Sequence, residues 1–238
     1  MKKPLALLGA LLLALLFALP AAAEDFKVFN GDREQKRIAL TIDDCYGIEH
    51  VREALEISRE NDIPFTFFVL GVVIKEEDAQ LWQDVAQSRC EIGNHTYGHF
   101  NLTNGLDERT LYNQIMKTQA SLDAVLGYHY PMQLLRPPFG SLNSGVSRMI
   151  RKTGYDHAIL WDVDSTDPQE CYERVKNGSI LLFHARAKDI ACIEALLPRL
   201  LADGYELVTV SELIGKEPVV PSEEPYTLVN YYDWKTTL

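Results

Sequence analysis

The sequence predicts a single-domain α/β fold built on a parallel sheet or barrel, and two observations predict it. Short β-branched and aromatic runs alternate with amphipathic helical stretches from residue 37 to residue 214, the pattern of parallel strands joined by helical crossovers. Ionisable residues then recur just past the ends of those runs: Asp43 and Asp44, His95 and His99, Arg136, Asp164 and His184. Parallel α/β folds place their sites at the carboxyl ends of strands. Any one cluster alone reads as an ordinary cap or loop; five on five strands imply one shared cleft.

Taken in order, RIALTI over 37–42 is a buried-strand pattern, and 49–61 reads as an amphipathic helix with Val51, Leu55 and Ile57 among its apolar positions. PFTFFVL over 64–70 is the second strand, 77–89 a helix and 91–94 a brief strand. The longest helix spans 107–126, with Leu111, Ile115, Met116, Leu122 and Val125 toward the core. Leu134 and Leu135 form a strand that ends at Arg136-Pro137-Pro138. A helix at 144–153, a strand at 157–163 and a helix at 169–176 follow. The alternation finishes with a strand at 179–183, a helix at 190–203, a strand at 207–210 and a short helix at 211–214. From Gly215 onward, Pro218, Pro221 and Pro225 mark a tail, 215–238, expected to wrap the surface or stay partly disordered.

The first 23 residues stand apart. Lys2 and Lys3 precede an apolar run from Leu5 to Leu19, and Ala21-Ala22-Ala23 supplies the small residues of a cleavage site. The expectation is a signal peptide at 1–23, cut before Glu24, with a lead-in at 24–36. The run is short for a membrane span, and no later segment reads as one. The mature chain is thus expected to be secreted or to reside in the periplasm or cell envelope, as a monomer without a membrane span. A formal net charge of −11 argues against nucleic acid as a partner, and it disfavours a strongly anionic polymer. Cys45, Cys90, Cys171 and Cys192 lack the close spacing of a cysteine-built metal site. Cys171 and Cys192 fall on consecutive expected helices, where a disulfide is possible in an exported protein.

The motifs carry the chemistry. Adjacent residues on a strand point in opposite directions, but a turn after Ile42 can bring Asp43 and Asp44 to one cavity, as a metal ligand and a general base require. The alternative is a helix cap. In His95-Thr96-Tyr97-Gly98-His99, two imidazoles four residues apart face the same way if the segment turns as a helix. Thr96 stands where a zinc metalloprotease carries Glu, which argues against that class. Two His and one carboxylate make a three-ligand site for zinc, cobalt, or iron in an oxygenase. Arg136, before the stiff Pro137-Pro138 and the permissive Gly140, reads as a guanidinium that orients a carboxylate. Asp164 beside His184 favours the protonated imidazole, which makes His184 a candidate general acid.

In this order the five motifs resemble the signature of the polysaccharide deacetylases, carbohydrate esterase family four: Thr41-Ile42-Asp43-Asp44, His95 to His99, Arg136-Pro137-Pro138-Phe139-Gly140, Asp164-Ser165-Thr166-Asp167 and Leu182-Phe183-His184. The resemblance covers 37 to 213. It implies a distorted parallel (β/α) barrel over a catalytic domain at 37–214. It implies Asp44, His95 and His99 as ligands of a divalent metal, zinc foremost with cobalt an alternative. Asp43 is then the base that deprotonates the attacking water, and Arg136 its positioner. The N–H of Phe139 becomes an oxyanion donor, His184 the general acid tuned by Asp164, and Leu182 the lining of the acetyl pocket. Ile42, Cys45 and Pro168 stand where the family usually has Phe, Gly and Trp.

The expected activity is metal-dependent removal of acetyl groups from an acetylated glycan: peptidoglycan, a chitin-like chain or poly-N-acetylglucosamine. An O-acetyl xylan esterase using the same site, and a glycan-binding module without turnover, are the alternatives.

Overall fold

A computed structural model describes residues 26–222 of the 238. The expected leader at 1–23 and residues 223–238 of the expected tail lie outside the described residues. The chain runs β1 (Lys27–Val28), β2 (Arg37–Asp44), α1 (Ile48–Asn61), β3 (Thr66–Val69), α2 (Ala79–Ala86), β4 (Glu91–Asn94) and α3 (Glu108–Leu126). It continues α4 (Ser144–Lys152), β5 (Ala158–Ile159), β6 (Val163–Asp164), α5 (Pro168–Arg174), β7 (Ile180–His184), α6 (Ala187–Ala202), β8 (Glu206–Leu207) and α7 (Val210–Leu213).

Strand β2 is central. It pairs in parallel with β3, with β7 and, through Arg37 and Ile38, with β8. Outward from these, β4 pairs with β3 and β6 with β7. Leu135 then bridges Asn94 to Ala158, which carries the pairing on to β5 and β1. The strands curl into a distorted parallel (β/α) barrel, with the helices laid against its outside. The lead-in expected at 24–36 therefore supplies a strand, β1, too short to show in the sequence pattern.

The core explains the composition of the strands. All but the first residue of β2 are buried, as expected of a strand covered on both faces. Ile38, Leu40 and Ile42 join Phe65, Phe67, Trp82, Ile92 and Phe183 in the main apolar cluster. Ala39 lies on the other face of β2, in a smaller cluster with Phe68, Leu134, Ile159, Ile180 and Val208. Thr41 and Asp43 follow Ala39 at the period of two that keeps residues on one face, so the polar site is the continuation of this apolar floor. Helices α3 and α4 begin on side-chain caps: Asp107 accepts from the N–H of Thr110 at 2.7 Å, and Asn143 from that of Val146 at 2.9 Å.

Two expected elements differ. The strand expected at 157–163 is split into β5 and β6, because Ala158 serves Leu135 and β1 while Val163 serves β7. The strand expected at 207–210 stops at Leu207. Thr209 leaves it to cap α7, accepting from the N–H of Glu212 at 3.1 Å while the Glu212 carboxylate accepts from the N–H of Thr209 at 2.7 Å, a capping box. At this end of the barrel Glu91 is buried. It accepts from the Ser211 hydroxyl, the Ser211 N–H at 3.1 Å and Thr66 Oγ1 at 3.3 Å. Burial pushes its carboxyl up to about 7, against the pull of the Ser211 and Thr66 donors.

Candidate active site

Asp43 and Asp44 end β2, and the backbone resolves how two neighbours face one cavity. Asp44 has φ 66° and Cys45 φ 62°, both left-handed, so the strand's alternation breaks at Asp44. The break is held by the Cys45 N–H donating to Asp43 O at 2.8 Å. Both carboxylates are buried. Cys45, where a glycine would adopt that φ freely, turns its thiol into the apolar core, 3.9 Å from Ile42 O.

Asp44, His95 and His99 converge so that one ligand atom from each lies within 4.8 Å of the others. Asp44 Oδ1 is 3.4 Å from His95 Nε2 and 3.3 Å from His99 Nε2, yet this buried oxygen has no hydrogen-bond partner. A buried carboxylate oxygen left bare costs free energy, and a cation is the group these three ligands fit. His95 Nδ1 lies 2.8 Å from Arg136 O. A carbonyl only accepts, so Nδ1 carries the proton and Nε2 presents its lone pair to the cluster.

The segment from His95 to His99 is a loop and not the helical turn expected. Thr96 (φ 70°) and His99 (φ 57°) are left-handed, and they swing the two rings to a centroid distance of 5.2 Å. Asn94 clamps the loop: its Oδ1 accepts from the Thr96 N–H at 2.8 Å, while its Nδ2 donates to Ile115 O and Tyr155 Oη.

Arg136 is fully buried beneath the carboxylates. Its Nη1 donates to Asp43 Oδ1 at 2.6 Å and Thr41 Oγ1 at 2.7 Å, its Nη2 to Leu160 O at 3.1 Å. Its Nε reaches Ile159 O at 3.4 Å. The carbonyls it binds are those freed where the strand splits. The guanidinium lies 4.1 Å from the centroid of the Phe68 ring, which closes its lower face. Asp43 Oδ2 remains toward the cluster, 3.7 Å from His95 Nε2.

Phe139 has φ 60° inside a short 3₁₀ turn, Pro138–Gly140. Its N–H belongs to the first turn, where no intrahelical acceptor exists, and its exposed ring sits 4.5 Å from that of His99. Leu182 and His184 are two apart on β7 and share a face. Leu182 is buried and pairs in register with Thr41, and His184 with Asp43.

One expected pairing is corrected. Asp164 does not tune His184: its side chain is 56% exposed and pairs with Arg174 at 3.1 Å. The carboxylate facing His184 is Asp189, in the first turn of α6, 3.8 Å from His184 Nδ1. Asp189 also accepts from the His184 N–H at 2.9 Å. The interaction with Asp189 raises His184 above the usual imidazole range, against the effect of its burial. Asn94 and Asp189 are thus site residues that the motifs did not single out, and Thr41, which opens the first motif, accepts from Arg136. Cys171 and Cys192, expected to sit on consecutive helices, do so on α5 and α6 as buried free thiols in contact.

The polysaccharide deacetylase family model matches residues 30–158. A peptidoglycan-N-acetylglucosamine deacetylase of Bacillus cereus is 30% identical over 196 residues, covering 76% of this chain and 89% of that protein. The peptidoglycan-N-acetylglucosamine deacetylase PgdA of Listeria monocytogenes is 30% identical over 195 residues, 78% of this chain; the chain spans only 40% of that longer relative. A family-four pseudoenzyme from Bacillus anthracis shares the fold, at a TM-score of 0.70 and 24% identity over 79% of this chain and 68% of that one. The fold accordingly does not by itself make a catalyst. Together with the five motifs and the geometry they adopt, these matches show that the chain belongs to the polysaccharide deacetylase family.

Proposed function

We propose that the protein is a metal-dependent hydrolase that removes acetyl groups from N-acetylglucosamine-containing polysaccharide, peptidoglycan foremost. The observation that carries this is the bare, buried Asp44 Oδ1 between His95 Nε2 and His99 Nε2, set beside a carboxylate held by a buried arginine. Asp44, His95 and His99 would hold a divalent cation, zinc foremost, which would supply Lewis-acid activation of water near neutral pH and of the acetyl carbonyl.

The other roles fall to the chain's own groups. Arg136 fixes Asp43 in one rotamer, with Oδ2 left toward the cluster to take a proton from the attacking water. The Phe139 N–H donates to the carbonyl oxygen as it becomes an oxyanion. An amide nitrogen is a poor leaving group unless protonated, and His184, whose protonated form Asp189 favours, delivers that proton. Leu182, buried on the same strand face, lines the space for the methyl group. The leader expected at 1–23 would export the enzyme to where such polymers lie.

The test is acetate release from N-acetylglucosamine oligomers by the purified protein, with and without chelator. Release that chelator abolishes and zinc restores is the expected result. No release from zinc-loaded protein overturns the proposal.

A further inference from the structure

We propose that Arg186 is a specificity-determining residue of this cleft, reading a carboxylate carried by the N-acetylated sugar, as on the lactyl-bearing amino sugar of peptidoglycan. The proposal rests on the deacetylase reading and names which sugar ring the site selects.

Arg186 lies two residues past His184, immediately before α6, in extended conformation. Its backbone is pinned on both sides: its N–H donates to His184 O at 2.8 Å, and its carbonyl accepts from the Asp189 N–H at 2.9 Å. Its side chain is 65% exposed, and the guanidinium stands 3.8 Å from Asp44 Oδ2. That separation is too long for a hydrogen bond, and a solvent-exposed pair at such range holds only weakly. The Arg186 charge also acts on His184, opposing its protonation. The guanidinium therefore stands at the rim of the cleft, within reach of both a metal-ligand carboxylate and the candidate acid.

The other arginines near the site are committed. Arg136 is buried and spends its donors on Asp43, Thr41 and two carbonyls. Arg174 pairs with Asp164 and Glu170. Once Asp44 is bound to a cation, its negative charge is neutralised and Arg186 loses its counter-ion. A guanidinium in that position is a planar fork of donors facing the bound sugar, and a carboxylate is the group it matches. A sugar bearing only hydroxyls and an acetamide supplies no such partner. The chain as a whole carries −11 and repels anionic polymers at long range. A cation at the cleft is thus a local exception, suited to one carboxylate per ring rather than to a densely charged chain.

The experiment compares two tetrasaccharides on the zinc-loaded full chain. One is all N-acetylglucosamine; the other alternates N-acetylglucosamine with N-acetylmuramic acid. Dissociation constants are measured by calorimetry in Asp43→Asn and in Asp43→Asn with Arg186→Gln, and kcat/KM in the wild type and Arg186→Gln. The expected result is that the carboxylated chain binds more tightly, and that Arg186→Gln lowers its affinity and its kcat/KM about tenfold relative to the neutral chain, with Arg186→Lys recovering part of the difference. A carboxylated-to-neutral ratio that Arg186→Gln leaves unchanged overturns the proposal. So does a variant that loses zinc and weakens both chains alike, since Arg186 would then only support Asp44. If the wild type releases acetate from neither chain, the deacetylase reading fails, and the ratio of dissociation constants still decides the role of Arg186.

Discussion

Arg136 and Asp43 form a fully buried, charge-assisted pair at 2.6 Å. Such a pair is stable as a unit and costly to break, because the survivor is left charged and desolvated. Arg136→Met is expected to destabilise the fold by about 3–5 kcal/mol, the range for halving a buried pair. Arg136→Lys keeps the charge but cannot span Asp43, Thr41 and two carbonyls at once. It is expected to remain folded and lose about a hundredfold or more in kcat, since a misplaced base costs on that order. Thermal unfolding and steady-state kinetics check both.

His184, as the proposed acid, would act only while protonated, so its pKa is expected to set the alkaline limb of the pH–rate profile. Asp189 raises that pKa. Asp189→Asn keeps an oxygen for the His184 N–H but removes the charge, and the alkaline limb is expected to move to lower pH. Asp164→Asn should leave the limb in place, because Asp164 is occupied by Arg174. A limb that follows Asp164 and ignores Asp189 would reverse the assignment.

The metal site is testable apart from turnover. A cation that binds the native state alone stabilises it by about 2.7 kcal/mol at a hundred times its dissociation constant. Added zinc is expected to raise the melting temperature of chelator-stripped protein. His95→Ala should abolish that rise and show no zinc by elemental analysis.

Glu91 gives a pH dependence unrelated to catalysis. Its carboxyl is raised from 4.5 to about 7 in the folded state. The unfolded chain therefore releases this proton first, and the stability tied to it is complete below about pH 4.5 and lost as pH rises through 7. The span is roughly 3 kcal/mol at about 1.4 kcal/mol per pH unit. Glu91→Gln, neutral at every pH, is expected to flatten the decline between pH 5 and 8 in denaturant titrations, with its largest gain over wild type at pH 8.

Much of this was legible before any coordinates. Clusters of ionisable residues past successive strand ends are a chemical pattern that solvent-exposed loops seldom produce in series, and Asp43, Asp44, His95, His99, Arg136 and His184 do meet. Asp189 was not legible, since an acid in the first turn of a helix is what the helix dipole favours in any protein. The His95–His99 loop misled because i, i+4 spacing suggests a helix, whereas two left-handed residues achieve the same convergence. Thr209 was readable, for Thr followed three residues later by Glu marks a helix start, but the β-branched Val208 and Val210 around it imitate a strand.

Six non-glycine residues among those described have a left-handed backbone, and five of them, Asp44, Cys45, Thr96, His99 and Phe139, lie in the segments that build this site; the sixth, Asp62, ends α1. Each sits uphill of its own local preference by about 1 kcal/mol, so the site as a whole is held against a tension of roughly 5 kcal/mol. Only the finished barrel can impose it. An unfolded chain accordingly offers no ready chelator, and on the proposed reading a metal would enter as the last component assembled, a seal on a completed structure instead of a template for one. Refolding should run at the same rate with zinc or without it, and the ion's contribution should be felt entirely in how slowly the protein comes apart.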